Sequence, residues 1–169
     1  LLLVVSYPQS AKFWSKNPLL QLLFAFSTLI PFIAGVLRLR LEHYTHDPYH
    51  GLFLLLYVFV LVWAADSGAY FSGRAFGKRK LAPKVSPGKS WEGVVGGLIT
   101  ALVLAFVFIH FSGDALVGER NISGFVILSV ATVAISVLGD LTESMFKRES
   151  GVKDSSQLIP GHGGVLDRI

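Results

Sequence analysis

Four stretches of this 169-residue chain carry no Asp, Glu, Lys or Arg: residues 17–37, 48–65, 93–113 and 121–139. A helix rising ~1.5 Å per residue needs about 20 mostly apolar residues to cross a hydrocarbon core of roughly 30 Å, so each stretch is close to one bilayer crossing. Together they take up almost half of the chain. Only 15% of the residues are charged and 52% are hydrophobic, against about 25% charged in an ordinary soluble domain. The pattern predicts an all-α, polytopic transmembrane protein with about four spans and cytoplasmic loops, built as a single domain over residues 1–169.

The spans are expected near residues 19–39, 52 to 69–71, 91–111 and 124–141. Pro31 removes a backbone hydrogen bond inside the first and points to a kink there. Orientation follows from the loops. Residues 73–90 hold Arg74, Lys78, Arg79, Lys80, Lys84 and Lys89 and no acid, which places that loop in the cytoplasm by the positive-inside bias. Residues 112–123 carry Arg120 as their only basic residue and are expected outside, whereas the tail after span four, with Lys147, Arg148, Lys153 and Arg168, returns to the cytoplasm. Arg38 and Arg40, at the outer end of span one, run against the rule. The chain does not start with Met, and Leu1–Val5 reads as the end of a preceding span rather than as a signal peptide, so a fragment is expected.

A chain without cysteine has no disulfide framework and no Cys-ligated zinc or iron–sulfur site, so any metal must bind through oxygen or imidazole. The net charge of +4 is explained by cytoplasmic loops, and no nucleic-acid partner is expected. The lack of an internal repeat disfavours transporter folds built from duplicated halves.

Several polar residues stand out against this apolar background. Asp66 follows the apolar run 58–65, and a carboxylate well inside a bilayer costs at least ~2.5–3.5 kcal/mol. It either faces a polar cavity open to the cytoplasm or sits at the interface, paired with Arg74. Asp140, Glu143, Ser144 and Lys147 recur at i, i+3, i+4 and i+7, one helical face, where two carboxylates suit a hard divalent cation such as Mg²⁺. A solvated helix end with a Glu143–Lys147 pair is the plainer reading of the same spacing. Downstream, three glycines surround His162, Asp167 can add a carboxylate to a metal site, and Arg168 can grip a phosphate with its planar fork. A Pro/Gly turn with solvating polar residues is the alternative.

The stretch Ser86-Pro87-Gly88-Lys89-Ser90 resembles the end of a P-loop, but the motif requires glycine at position 83, which is proline. Its lysines and serines can still cradle phosphates beside a helix start, with Ser90 as N-cap. His43, His46, Asp47 and His50 have spacing that permits a metal, yet they read as a solvated external loop. Asn121-Ile122-Ser123 matches a glycosylation sequon by composition alone, and His110 reads as an interfacial residue.

Ser144–Arg148, then Lys153-Asp154, then His162-Gly163-Gly164 closing on Asp167-Arg168 resembles the signature of the phosphatidate cytidylyltransferases, the CDP-diacylglycerol synthases. Residues 63–77 and 86–93 also look like segments of that family, so the likeness covers most of the chain after about residue 50. The family pattern continues with a further Asp and another span beyond Ile169. The resemblance implies transfer of the cytidylyl group of CTP to phosphatidate, giving CDP-diacylglycerol and pyrophosphate. It implies dependence on Mg²⁺, with a second cation left open, at the cytoplasmic face of a bacterial inner membrane. On that basis Asp140, Asp167, Lys153, Asp154 and Arg168 are the expected catalytic residues. Asp140 and Asp167, with Glu143 as a third, are the expected metal ligands. Ser86, Lys89, Ser90, Lys147, Arg148, His162, Gly163, Gly164 and Asp66 are expected to bind substrate. A homodimer is left open. A CTP-dependent lipid kinase of the polyprenol type and, outside enzymes, a transporter are the competing readings.

Overall fold

The computed structural model describes residues 7–9, 11–112 and 122–152. Their elements in chain order are α1 (Ala11–Trp14), α2 (Pro18–Leu41), α3 (His50–Phe76), β1 (Lys80–Ala82), β2 (Ser86–Ser90), α4 (Trp91–Ser112) and α5 (Ile122–Glu149). The four long helices have 24, 27, 22 and 28 residues, and each is long and apolar enough to cross a membrane. All four expected spans are present; the second and fourth run on at their C-terminal ends by one to two turns of more polar helix, to Phe76 and Glu149.

Local signals set the helix starts. The Asn17 side chain accepts from the Leu19 N–H at 3.0 Å, with Pro18 at the first helical position where its missing N–H costs nothing. Ser90 caps α4, accepting the Gly93 N–H at 3.2 Å, as its sequence context predicts. Helix α2 runs through Pro31 as one assigned element. The out-of-place Arg40 also has a local role: it donates to the Pro48 carbonyl at 3.0 Å and stands over the Tyr44 ring, tying the α2 end to the following loop.

The closest helix pair is α3 with α4. Gly93, Gly97, Ala101 and Ala105 are all buried and recur every four residues along α4, a stripe that lets two backbones approach closely. A Cβ on Gly97 would lie 2.9 Å from the Ala65 carbonyl oxygen, and one on Gly93 2.9 Å from that of Ala69. In water the hydrophobic effect would hold such a pair; between lipid-facing helices the close van der Waals fit must do more of it. Helix α5 completes the bundle through Val133, which packs with Tyr57, Leu61, Ala65 and Ala101, and through a buried hydrogen bond of 2.7 Å between the Tyr57 and Ser129 hydroxyls. Helix α2 buries none of its residues.

The loop between α3 and α4 is not featureless, as hydropathy alone implied. It forms an antiparallel hairpin pairing Lys80 with Ser90 and Ala82 with Ser86, with an irregularity between them. Val85 at its tip is 1% exposed and packs with Ala82, Leu141, Met145, Ala11 and Trp14 in a second core. The hairpin is therefore pinned to the end of α5. Its base is closed by the Arg79 N–H donating to the Glu92 carboxylate at 3.2 Å and by the Trp91 N–H donating to the Arg79 carbonyl at 3.0 Å.

Candidate active site

With the hairpin folded onto the bundle, the last turns of α3, the first turns of α4 and the C-terminal half of α5 enclose a cavity of about 560 Å³. Three elements supply its charged groups. Helix α3 contributes Asp66, Tyr70 and Arg74, spaced four residues apart and so stacked along one face. The hairpin contributes Lys80, Ser86, Lys89 and Ser90, and α5 contributes Asp140. Asp66, Ser86, Lys89, Ser90 and Asp140, far apart in the sequence, thus line one recess.

Within it Lys89 forms an ion pair with Asp140, joining hairpin to α5. The Asp140 side chain keeps 53% of its surface exposed, so water competes for the pair and its contribution to stability is small, about 0–1 kcal/mol. Arg74 does not pair with Asp66. Its Nη1 donates instead to the Tyr70 hydroxyl at 3.2 Å. Ser90 is 4% exposed and its oxygen already accepts the Gly93 N–H, which leaves its hydroxyl hydrogen for a ligand.

The face expected from the 140–147 spacing is divided. Asp140 turns to the cavity, while Glu143 pairs with Lys147 at 3.2 Å on a separate groove of about 970 Å³ between α5 and the α1–α2 segment. Residues three apart on a helix differ by about 60° in direction, enough to put them on two sides of a ridge. Arg148 reaches neither recess wall; its Nε lies 3.4 Å from the Val85 carbonyl oxygen and fastens the hairpin tip. Lys153, Asp154, His162, Gly163, Gly164, Asp167 and Arg168 lie outside the described residues. The His43 and His50 rings meet edge to face at 4.9 Å, and among the described residues no group of three or more His, Asp or Glu side chains is gathered as a metal site.

Tyr70, Arg74 and Lys80 line the cavity although sequence reasoning did not nominate them as site residues. The signal that could have found Tyr70 and Arg74 is the four-residue spacing from Asp66. Lys80 could be placed only once the hairpin register was known.

Two carboxylates and two serine hydroxyls around one recess are hard oxygen donors, and Mg²⁺ typically takes one or two carboxylates while keeping waters and substrate phosphates. The donor set therefore fits such an ion, with Asp140 and Asp66 as the described carboxylates.

Helices and recess together define an integral membrane protein with a charged cavity at one end of its bundle. The model of the cytidylyltransferase family matches residues 1–169, and the chain belongs to that family. The phosphatidate cytidylyltransferase of Haemophilus influenzae is 93% identical over 169 residues, 100% of this chain and 59% of the relative. That of Pseudomonas aeruginosa is 47% identical across 99% of this chain and 58% of the relative, and that of Bacillus subtilis 48% identical across 71% and 43%. The chain thus spans less than two thirds of the length of each of these relatives.

Proposed function

We propose that this chain carries the nucleotidyl-transfer site of an enzyme that converts CTP and phosphatidate into CDP-diacylglycerol and pyrophosphate. The observation that carries the reading is the cavity at one end of the bundle lined together by Asp66, Asp140, Arg74, Lys80 and Lys89. One substrate is a lipid held in the bilayer and the other a soluble polyanion, so their meeting place must be basic and at the membrane surface. Three cations against two carboxylates support the first condition, and a place at one end of four helices of membrane-crossing length supports the second. The density of lysine and arginine in residues 73–90 favours the cytoplasmic side of a bacterial inner membrane.

In the reaction an oxygen of the lipid phosphate attacks the α-phosphorus of CTP, the bond from that phosphorus to the bridging oxygen breaks, and pyrophosphate leaves with the electron pair. The nucleophile is already an anion, so no general base and no covalent enzyme intermediate are required. Such transfers are governed by positioning and by neutralising the charge on the equatorial and leaving oxygens. Lys89, Lys80 and Arg74 supply positive charge from two walls of the cavity, and the Ser86 hydroxyl, with the hydrogen of Ser90, can orient phosphate oxygens. Lys89 would exchange Asp140 for a phosphate when the nucleotide enters, freeing the carboxylate. Mg²⁺, when bound, would supply further charge neutralisation. Asp140 and Asp167 are its proposed ligands, and Asp66 adds a carboxylate on the same cavity. Glu143 would join only by leaving Lys147.

The test is a product analysis with the full-length protein in mixed micelles of phosphatidate, given CTP with and without Mg²⁺. Metal-dependent release of pyrophosphate together with CDP-diacylglycerol is expected. Release of CDP with a phosphorylated lipid would overturn the reading in favour of a lipid kinase, and absence of any CTP turnover, with CTP-independent solute flux once the protein is reconstituted in sealed vesicles, would favour a transporter.

A further inference from the structure

Arg74 stands in the last turn of α3, two residues before the helix ends at Phe76. An arginine at such a position ordinarily extends past the helix end, its charge snorkelling to water or meeting the final carbonyls. Here its Nη1 donates to the hydroxyl of Tyr70, one turn earlier on the same helix, and both residues line the cavity. Among the last carbonyls of the helix, that of Gly73 is already taken by the Gly77 N–H at 3.0 Å. Nor does a carboxylate draw it there: among the described residues no Asp or Glu lies within ion-pair distance of Arg74, and Asp140 is taken by Lys89. A guanidinium has five N–H donors in a rigid fork and Tyr70 accepts one of them, which leaves donors to spare on a residue that lines a recess also holding Lys80 and Lys89.

We infer that Arg74 binds a substrate phosphate in this cavity, and that Tyr70 is the positioning residue that keeps its guanidinium turned inward. The inference rests on the cavity being the transfer site and adds two residues to it. The ligand chemistry is a phosphate oxygen pair, which either the nucleotide or the lipid can present.

Steady-state kinetics of the full-length protein, with CTP and phosphatidate varied in turn, separates the two sources. Arg74→Gln is expected to raise the KM of one substrate about tenfold and leave the other within twofold; the affected substrate names the phosphate that Arg74 holds. Tyr70→Phe, which removes only the hydroxyl, should raise the same KM about threefold with kcat within twofold, a loss of ground-state and transition-state binding alike. Arg74→Lys keeps the charge without the fork and should fall between wild type and Arg74→Gln with an unchanged melting temperature, which keeps the test readable if the glutamine variant does not fold. Both KM values within twofold of wild type in Arg74→Gln and Arg74→Lys, or a Tyr70→Phe effect on the other substrate or on kcat alone, would overturn the inference. If the wild-type protein makes no CDP-diacylglycerol, the functional reading fails separately. Binding of inorganic pyrophosphate and of phosphatidate nanodiscs then decides the matter, Arg74→Gln weakening one of them if the inference holds and neither if it does not.

Discussion

Asp140 and Lys89 are paired in the cavity, and neither belongs to the two hydrophobic clusters. The half-exposed carboxylate can lose its charge at a cost of about 0–1 kcal/mol in stability. Asp140→Asn is therefore expected to lower Mg²⁺-dependent turnover by about 10²-fold, the scale seen when one charge-stabilising group is removed from an active site, while membrane insertion and melting temperature stay as in wild type. Activity near the wild-type level would remove Asp140 from the metal site. The two hairpin lysines should separate. Lys89 lines the cavity and Lys84 does not, so Lys89→Gln should raise the KM for CTP several-fold and Lys84→Gln should leave it within twofold. A KM for CTP unchanged in both variants would mean that these lysines serve only membrane orientation. At this scale chemical identities were legible in the sequence and partners were not. Of the two readings of Asp66, the polar cavity is the one formed, while Arg74 is bonded to Tyr70, and Asp140 and Glu143, three residues apart, face different recesses.

Among the elements, the α3–α4 pair depends on the absence of side chains. A Cβ on Gly97 would press on the Ala65 carbonyl, so Gly97→Val should force the helices apart and destabilise by about 1–3 kcal/mol, the usual cost of overpacking. A Cβ on Gly139 in α5 meets nothing within 4 Å, so Gly139→Ala should be neutral or stabilise by up to about 1 kcal/mol through helix propensity. Thermal unfolding of the two variants in detergent measures the contrast, and equal melting temperatures would show that the stripe does not set the helix separation. Span positions were legible because charge-free length is a one-dimensional signal. The hairpin was not: Pro87 and Gly88 within β2 argue against a strand, and the pairing of Lys80–Ala82 with Ser86–Ser90 is sustained by the burial of Val85 against α5, a contact between residues far apart in the chain.

For the whole molecule, four crossings place the hairpin and the loop of residues 42–49 at opposite ends of the bundle. The chain has no cysteine of its own, so a single introduced thiol reports its side cleanly. Lys84→Cys should react with a membrane-impermeant maleimide only in inverted vesicles, and His46→Cys only in right-side-out ones. The opposite pattern would reverse the proposed orientation and put the cavity on the outer face.

The sequence by itself determined the helical class, the number of spans, the end of the bundle that gathers positive charge and the residue types available for phosphate and metal chemistry. These are properties of composition and periodicity along a line, and the bilayer enforces them because an unpaired backbone or a stray charge is costly in hydrocarbon. Tertiary structure alone decided which of those residues share a recess. Close approach of α3 and α4 at glycine and alanine, and the docking of the hairpin through Val85, bring Asp66, Arg74, Lys89 and Asp140 to one cavity while sending Glu143 and Lys147 to another groove. The physical reason is that side-chain direction depends on helix rotation and separation, which are set by packing between distant segments.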